Sequence, residues 1–381
     1  MEVVGSFFKP KSKCASCQKS FGFHRRRKCE TCKKLYCKNC SVKIKRQNSR
    51  FRKNRYCNTC YEETSSIKSS IQSFNSKETF ISRDLFESEK LKLKINECNP
   101  EEVYKIGSKI GEGGSAIVYH AKHIESGEEY AIKRVMIQNL AQREQIINEM
   151  AISEMSLHKN VIKIQEAFEY NFSLWIVSEL MVCSLNDLII DMGSQIDEDV
   201  IAYILHEVCS GLLILHTNQR IHRDIKSDNI LISEDGSIKI ADFGCAAQLF
   251  EEESQRKTII GTPVWMAPEL ALGETYDMKV DIWGLGILAL LLADGELPYA
   301  HESPMKILML IKDNPSPIPR FPSKWSESFL DFISSCLQKN PQDRPDAHQV
   351  GFHQFIHDLP KRNKIKFYAL LDSWRNDTEN S

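Results

Sequence analysis

The sequence predicts an α+β fold in two lobes, a β-rich lobe followed by an α-rich lobe, with a small metal-built domain in front of them. Three observations lead there. Strand signals crowd positions 103–135, and helical periodicity dominates after position 199. Eight of the 13 cysteines lie between positions 14 and 60, in four pairs. Residues 1–60 carry a formal charge of +16 and the remainder −17, although the whole chain sums to only −1. A basic module is thus joined to an acidic one, and its expected partners are anionic lipid, nucleic acid or the acidic part itself.

The chain opens MEVVGSFFKPKSK, which lacks the apolar core of a secretory signal. The longest apolar run, Leu285–Ala293, interrupted by Gly286, is far short of a membrane span, so no transmembrane segment is expected. A cytoplasmic location follows, where paired cysteines signal metal rather than disulfides.

Residues 10–64 hold Cys14-x2-Cys17, Cys29-x2-Cys32, Cys37-x2-Cys40 and Cys57-x2-Cys60. Eight thiolates supply two tetrahedral structural Zn²⁺ sites of four cysteines each. A domain of this size cannot bury enough core to fold alone, and each zinc adds on the order of 10 kcal/mol of folding free energy. The basic run His24-Arg25-Arg26-Arg27-Lys28 suits an anionic membrane. Docking on the acidic part of the chain, a purely structural finger and, last, nucleic-acid binding are the competing readings. Residues 65–103 are rich in Ser, Lys and Glu without clear periodicity and are expected to be a flexible linker. Residues 357–381 form a tail in which FYALLDSW suggests a short helix.

Residues 104–356 are the globular part. Strands are expected over 103–110, 117–122 and 129–135. A helix is expected over 141–157, with apolar residues at 146, 147, 150, 152 and 155. Further helices are expected over 199–216, 279–293, 326–337 and 347–355. Between the first two strands, after Ile110, stands Gly111-Glu112-Gly113-Gly114-Ser115-Ala116-Ile117-Val118. Glycines there let backbone approach phosphates closely. Ala131-Ile132-Lys133 follows on the next strand, and Glu149 on the helix after it. An ion pair between them would hold the Lys133 ammonium against the α- and β-phosphates of ATP.

The most specific stretch is His222-Arg223-Asp224-Ile225-Lys226-Ser227-Asp228-Asn229, followed 13 residues after Asn229 by Asp242-Phe243-Gly244. Asp224 is expected to accept or orient a substrate hydroxyl proton, and Lys226 to stabilise charge on the transferred phosphoryl group. Asn229 and Asp242 are expected to ligate Mg²⁺.

With RKTIIGTPVWMAPEL and KVDIWGLGILAL, these stretches resemble the eukaryotic protein kinases, and most closely their sterile-twenty, PAK-like branch. The resemblance implies the bilobal protein-kinase fold, ATP·Mg²⁺ between the lobes and a protein hydroxyl as acceptor. It places the adenine between Ala131, Val118 and Leu231, with the backbone of Glu179 and Met181 at its edge. Lys226 and Gly261-Thr262-Pro263 point to Ser/Thr rather than Tyr. It makes Glu269–Arg344 a buried strut and Asp281 a brace of the catalytic loop. Thr258 stands where the family carries an activating phosphate, opposite Arg223. Two departures stand out. Ala116 replaces the third loop glycine, and Ser178 occupies the gatekeeper position before Glu179, leaving extra room for bulky ATP-competitive inhibitors. No PAK-type small-GTPase-binding motif is visible in residues 61–103.

The gaps of 11, 4 and 16 residues between cysteine pairs resemble the FYVE finger, a reader of phosphatidylinositol 3-phosphate on endosomes. By that resemblance Cys14, Cys17, Cys37 and Cys40 hold one zinc in a cross-brace, and Cys29, Cys32, Cys57 and Cys60 the other. The match is degenerate. Arg27 and Lys28 stand where the family has histidines, Glu30 where it has arginine, and Phe7-Phe8-Lys9-Pro10 replaces its Trp-x-x-Asp.

The combined expectation is a Ser/Thr protein kinase carried to phosphoinositide-containing or other anionic membranes, peripherally on endosomes. Two rival classes are a pseudokinase scaffold and a zinc-finger RNA binder with an incidental kinase. The first is opposed by the joint presence of Lys133, Glu149, Asp224, Asn229 and Asp242.

Overall fold

Local chemistry accounts for much of what a computed structural model of the chain displays. It describes residues 27–28, 35–36, 41–45, 53–57, 81–90, 92–113, 116–192, 196–250, 255–357, 359 and 361–379, in two units divided after Thr79.

In the first unit, strands β1 (Arg27–Lys28) and β2 (Leu35–Tyr36) pair antiparallel, as do β3 (Ser41–Lys45) and β4 (Lys53–Cys57). Cys57 closes β4, opposite Ser41. The other seven cysteines assigned to zinc (Cys14, Cys17, Cys29, Cys32, Cys37, Cys40 and Cys60) lie outside the described residues. Among the described residues no cluster of three or more His, Cys, Asp or Glu is placed to hold a metal.

The second unit opens with helix α1 (Arg83–Lys90) and strand β5 (Ile95–Asn96). Strands β6 (Tyr104–Glu112), β7 (Ala116–His123) and β8 (Glu129–Met136) follow, then helix α2 (Leu140–Glu154) and strands β9 (Ile164–Tyr170) and β10 (Ser173–Glu179). One six-stranded sheet results, ordered β5-β9-β10-β8-β7-β6, in which only β5 runs parallel to its neighbour. The β9–β10 hairpin turns on Asn171 and Phe172, both with φ near +50°. A two-residue turn of that hand matches the twist of the flanking strands. Helix α2 starts at Asn139, whose side chain accepts from Gln142 N at 2.9 Å.

The back lobe is helical, apart from short hairpins that carry the catalytic loop. Its elements begin with β11 (Cys183–Ser184), α3 (Leu185–Met192), α4 (Glu198–Thr217) and β12 (Arg220–Ile221). Strands β13 (Ile230–Ile232), β14 (Ile238–Ile240) and β15 (Ala247–Gln248) follow. Helices α5 (Pro268–Ala271), α6 (Lys279–Asp294), α7 (Pro304–Asp313), α8 (Glu327–Cys336), α9 (Ala347–Gly351) and α10 (Lys361–Glu379) complete it. Every residue of α6 from Val280 to Ala293 is buried, as an all-round apolar helix requires. Helix α4 has the length and hydropathy of a membrane span, yet most of it is buried inside this lobe. Cys209 and Cys336 are buried core thiols.

Two expectations require correction. The segment 65–103 is not a flexible linker throughout, because from residue 83 it supplies α1 and β5 to the second unit. Its charged surface masks a single buried anchor, Phe86. The tail is likewise no short helix: α10 runs 19 residues and buries Phe367 and Leu371. Smaller shifts affect helix ends, α2 stopping at Glu154 and α9 at Gly351.

Candidate active site

Strand register does the first piece of positioning. On β8, Lys133 lies opposite Val118 of β7 and Ile176 of β10, at the centre of the sheet. Helix α2 crosses beside it. Lys133 Nζ sits 2.9 Å from Glu149 Oε1 and 2.9 Å from Asp242 Oδ1. Burial works against the ammonium, but the two carboxylates outweigh it and hold Lys133 charged well above its ordinary range. Asp242 is held below its ordinary range, because Lys133 overcomes its burial. Asp242 adopts φ +60°, a left-handed conformation costly for a non-glycine residue, and its side chain caps Gly244 N.

The loop between β12 and β13 makes the second cluster. Asp224 Oδ2 lies 2.8 Å from Lys226 Nζ. Asp224 Oδ1 accepts from Thr262 Oγ1 at 3.1 Å, and Lys226 Nζ donates to the same Thr262 oxygen at 3.2 Å. Asn229 Nδ2 donates to both the carbonyl and Oδ2 of Asp224, at 2.9 and 3.0 Å. Its amide nitrogen is thereby used within the loop, and its oxygen is the end left to meet a cation. Burial lowers the Lys226 pKa, but the bond to Asp224 more than compensates and raises it.

A buried carboxylate holds this loop from below. Asp281 of α6 accepts His222 N at 2.9 Å, Arg223 N at 2.7 Å and His216 Nε2 at 2.8 Å. Glu269 and Arg344 form the expected strut, with bonds of 2.6 and 3.0 Å, both side chains buried. Arg223 adopts φ +67° and donates to the Cys245 and Ala246 carbonyls. It also donates to the hydroxyl of Tyr276, which in turn donates to the Thr258 carbonyl at 2.8 Å. Thr258 itself is exposed.

The nucleotide-loop residues are spread along the β6–β7 hairpin. Ile110, Gly111 and Glu112 end β6, with Gly111 paired to Val118 and Glu112 to Ile117. Glu112 bonds Lys109 on the surface. Gly113 N donates to Ala116 O at 2.8 Å, while Gly114 and Ser115 lie outside the described residues. A Cβ on Gly111 or Gly113 would meet nothing closer than 3.5 Å. The protein's own packing therefore does not demand glycine there. Ala131 pairs with Ser178, and Leu231 sits in the middle of β13, both partly buried. The Glu179 carboxylate turns away, accepting from Lys163 N and Lys239 Nζ at 2.8 Å, and Met181 packs on the main core.

The residues brought together form two groups: Lys133, Glu149 and Asp242, and Asp224, Lys226, Asn229 and Thr262. Thr262 was legible only as part of a specificity signature, and its bridging of Asp224 and Lys226 is a tertiary fact. His216 carried no signal in sequence, being one more residue on an apolar helix. A family model described as protein kinase domain matches residues 104–356.

The chain belongs to the protein kinase family. It is 40% identical over 269 residues to the mouse serine/threonine-protein kinase PAK 1, a match covering 70% of this chain and 49% of that protein. The chain thus spans about half the length of that curated relative. The family match marks residues 104–356 as a protein kinase domain, and the relative is by its name a serine/threonine kinase. The strand-rich lobe, through Lys133, and the helical lobe, through Asp242, meet at the cluster just described.

Proposed function

We propose that the protein transfers the γ-phosphoryl group of ATP to Ser or Thr hydroxyls of other proteins. The observation that carries this is the presence, in one protein kinase domain, of the Asp224–Lys226–Thr262 cluster and of a charged Lys133 held by Glu149 and Asp242. The donor chemistry suits Mg²⁺. The Asp242 carboxylate and the Asn229 amide oxygen are hard oxygen ligands. When bound, the metal neutralises phosphate charge. The loop glycines and Lys133 bind and orient the phosphates. Asp224 receives or orients the acceptor hydroxyl proton at Oδ, and Lys226 places positive charge beside the group in flight. Thr262, bonded to both, fixes their spacing.

The assay is transfer of labelled γ-phosphate to Ser-, Thr- and Tyr-containing peptide pools. Labelling of Ser and Thr is expected, and Asp224→Asn should lower kcat by about 10²–10⁴-fold. Labelling confined to Tyr, or an Asp224→Asn enzyme of full activity, would refute the reading.

A phosphate on Thr258 fits the same reading as a switch, since Arg223 already reaches that residue's carbonyl through Tyr276. Phosphorylation adds about −2 charge and orders loops through arginine. Thr258→Ala is then expected to reduce activity.

For residues 10–64, the reading rests on spacing and charge. Four Cys-x2-Cys pairs are a donor set matched to two zinc ions. The charge over residues 1–60, formally +16 and still +12 once eight thiolates hold two Zn²⁺, suits an anionic membrane, with phosphatidylinositol 3-phosphate as the specific candidate and a cytoplasmic, endosome-peripheral location as the consequence. Vesicle co-sedimentation of the full chain tests this, comparing that lipid with phosphatidylserine of matched charge at two salt concentrations. Preference that survives high salt supports a specific reader. Equal, salt-sensitive binding reduces the module to a general anionic anchor.

A further inference from the structure

The family match begins at residue 104, and the elements α1 and β5 precede it. They attach to three parts of the catalytic unit at once. Phe86, buried on α1, packs edge-on against Phe250 at 5.8 Å between ring centroids. Phe250 follows β15 in the segment that leaves Asp242-Phe243-Gly244, and the Arg83 guanidinium lies over its ring, 4.4 Å from the centroid. One turn further along α1, the Lys90 ammonium bonds the Glu144 carboxylate and, at 3.1 Å, Asn148 Oδ1. Both are on α2, and Asn148 immediately precedes Glu149. Lys90 is only 9% exposed and also bonds Glu87 at 2.7 Å. Last, β5 adds to the sheet edge beside β9, and Asn96 Nδ2 donates to Glu166 at 2.9 Å.

One short stretch therefore ties the helix that carries Glu149 to the sheet that carries Lys133 and to the segment that carries Asp242. A helix packed on a sheet shifts as a rigid body when its contacts change. The Lys133–Glu149 bond spans 2.9 Å, so a displacement of about 1 Å breaks hydrogen-bond geometry. Helix α2 holds Glu149 from inside, through its buried face of Ile146, Ile147 and Met150. On its outer face, α1 supplies the contact to Glu144 and Asn148.

We propose that residues 81–96 are a brace that sets the position of α2, with Lys90 and Phe86 as positioning residues for the Lys133–Glu149 pair. The proposal rests on the kinase reading above, because it assigns these residues to the same site. It also gives the segment between the cysteine-paired module and the kinase domain a role in setting activity, beyond that of a tether.

The test uses the full chain with Lys90→Met, Lys90→Arg, Glu144→Gln and Phe86→Ala. Three quantities are read well below the melting temperature: kcat, KM for ATP, and calorimetric affinity for a non-hydrolysable ATP analogue with Mg²⁺. Loss of α2 position should lower kcat by about tenfold and weaken analogue binding in Lys90→Met, Glu144→Gln and Phe86→Ala, since small misplacements of positioning groups have effects of this order or larger. Lys90→Arg, which keeps the charge and can reach the same carboxylate, should restore both. Lys90→Met and Glu144→Gln with wild-type kcat and analogue affinity would overturn the brace, whatever their melting temperatures. A loss in Lys90→Met that Lys90→Arg shares in full would also overturn it. If the wild-type protein transfers no phosphate, the kinase reading fails, while analogue affinity across the same variants still decides the brace.

Discussion

Gly261 sits at φ +114°, and a Cβ there would lie 2.8 Å from the Arg223 carbonyl oxygen. Neither the backbone angle nor the space admits a side chain. Gly261→Ala must move either Thr262 or the catalytic loop. It should cost about 1–3 kcal/mol of stability and lower kcat, readable by thermal unfolding and phosphate transfer. Asp281 is the second residue on which the loop depends. Burial opposes its charge, yet the His216 bond and the backbone N–H of His222 prevail and hold its carboxyl below the ordinary value of 3.8. A carboxyl depressed on folding stabilises the protein at pH above its unfolded value, and that contribution is lost as pH falls through the folded value. Asp281→Asn should therefore destabilise the protein by about 2–3 kcal/mol near neutrality, from weakened charge-assisted bonds. Its stability should also fall less steeply below about pH 4 than that of the natural protein. Urea unfolding at several pH values checks both. Ser178 faces Ala131 across β8 and β10. Ser178→Met should leave ATP turnover near normal and reduce inhibition by bulky adenine analogues. Equal inhibition of both proteins would show that the extra room is not used.

At the scale of elements, α10 is the clearest case of structure lying beyond a recognisable domain. It packs along α4, with Phe367 fully buried against Tyr203 at 5.3 Å. Lys366 bonds Asp197 and Asp199 at the start of α4, and Trp374 Nε1 donates to Asp191 of α3 at 2.7 Å. Gly236, at φ +74°, must be glycine because a Cβ would lie 2.0 Å from the Tyr368 ring. Phe367→Ala should cost about 3–5 kcal/mol, visible as a lowered melting temperature. Sequence pattern hinted at this helix only through FYALLDSW, since its first third, Lys361–Lys366, is dominated by charged and polar side chains. Helix α1 gave less, because one buried phenylalanine in eight residues makes no periodicity. Helices α2, α4, α6 and α8 were legible because each repeats buried apolar residues over several turns.

The whole molecule joins a strongly basic N-terminal stretch to an acidic remainder. Opposite charges of this size attract over about 10 Å at 0.1 M salt, and the hypothesis that follows is an electrostatic restraint of the kinase unit that anionic lipid relieves. A chain lacking residues 1–64 should then be more active than the full chain at low salt and equal to it at high salt. Equal activity at both would remove that restraint from consideration. Chelation should release about two zinc ions per chain and abolish vesicle binding while leaving the cooperative melting of the kinase unit in place, because that unit has its own core. The sequence alone determined the family and the two-lobed α+β class, and it singled out Lys133, Glu149, Asp224, Lys226, Asn229 and Asp242 as candidate site residues, because the chemistry expected of them requires particular residue types at particular spacings. Only the tertiary structure decided what sets those groups in place: Thr262 between Asp224 and Lys226, His216 and Asp281 under the loop, α1 against α2, and α10 along α4. Each of those is a contact between residues distant in the chain, made by side chains that many sequences could supply, and local pattern carries no record of which distant surface a side chain will meet.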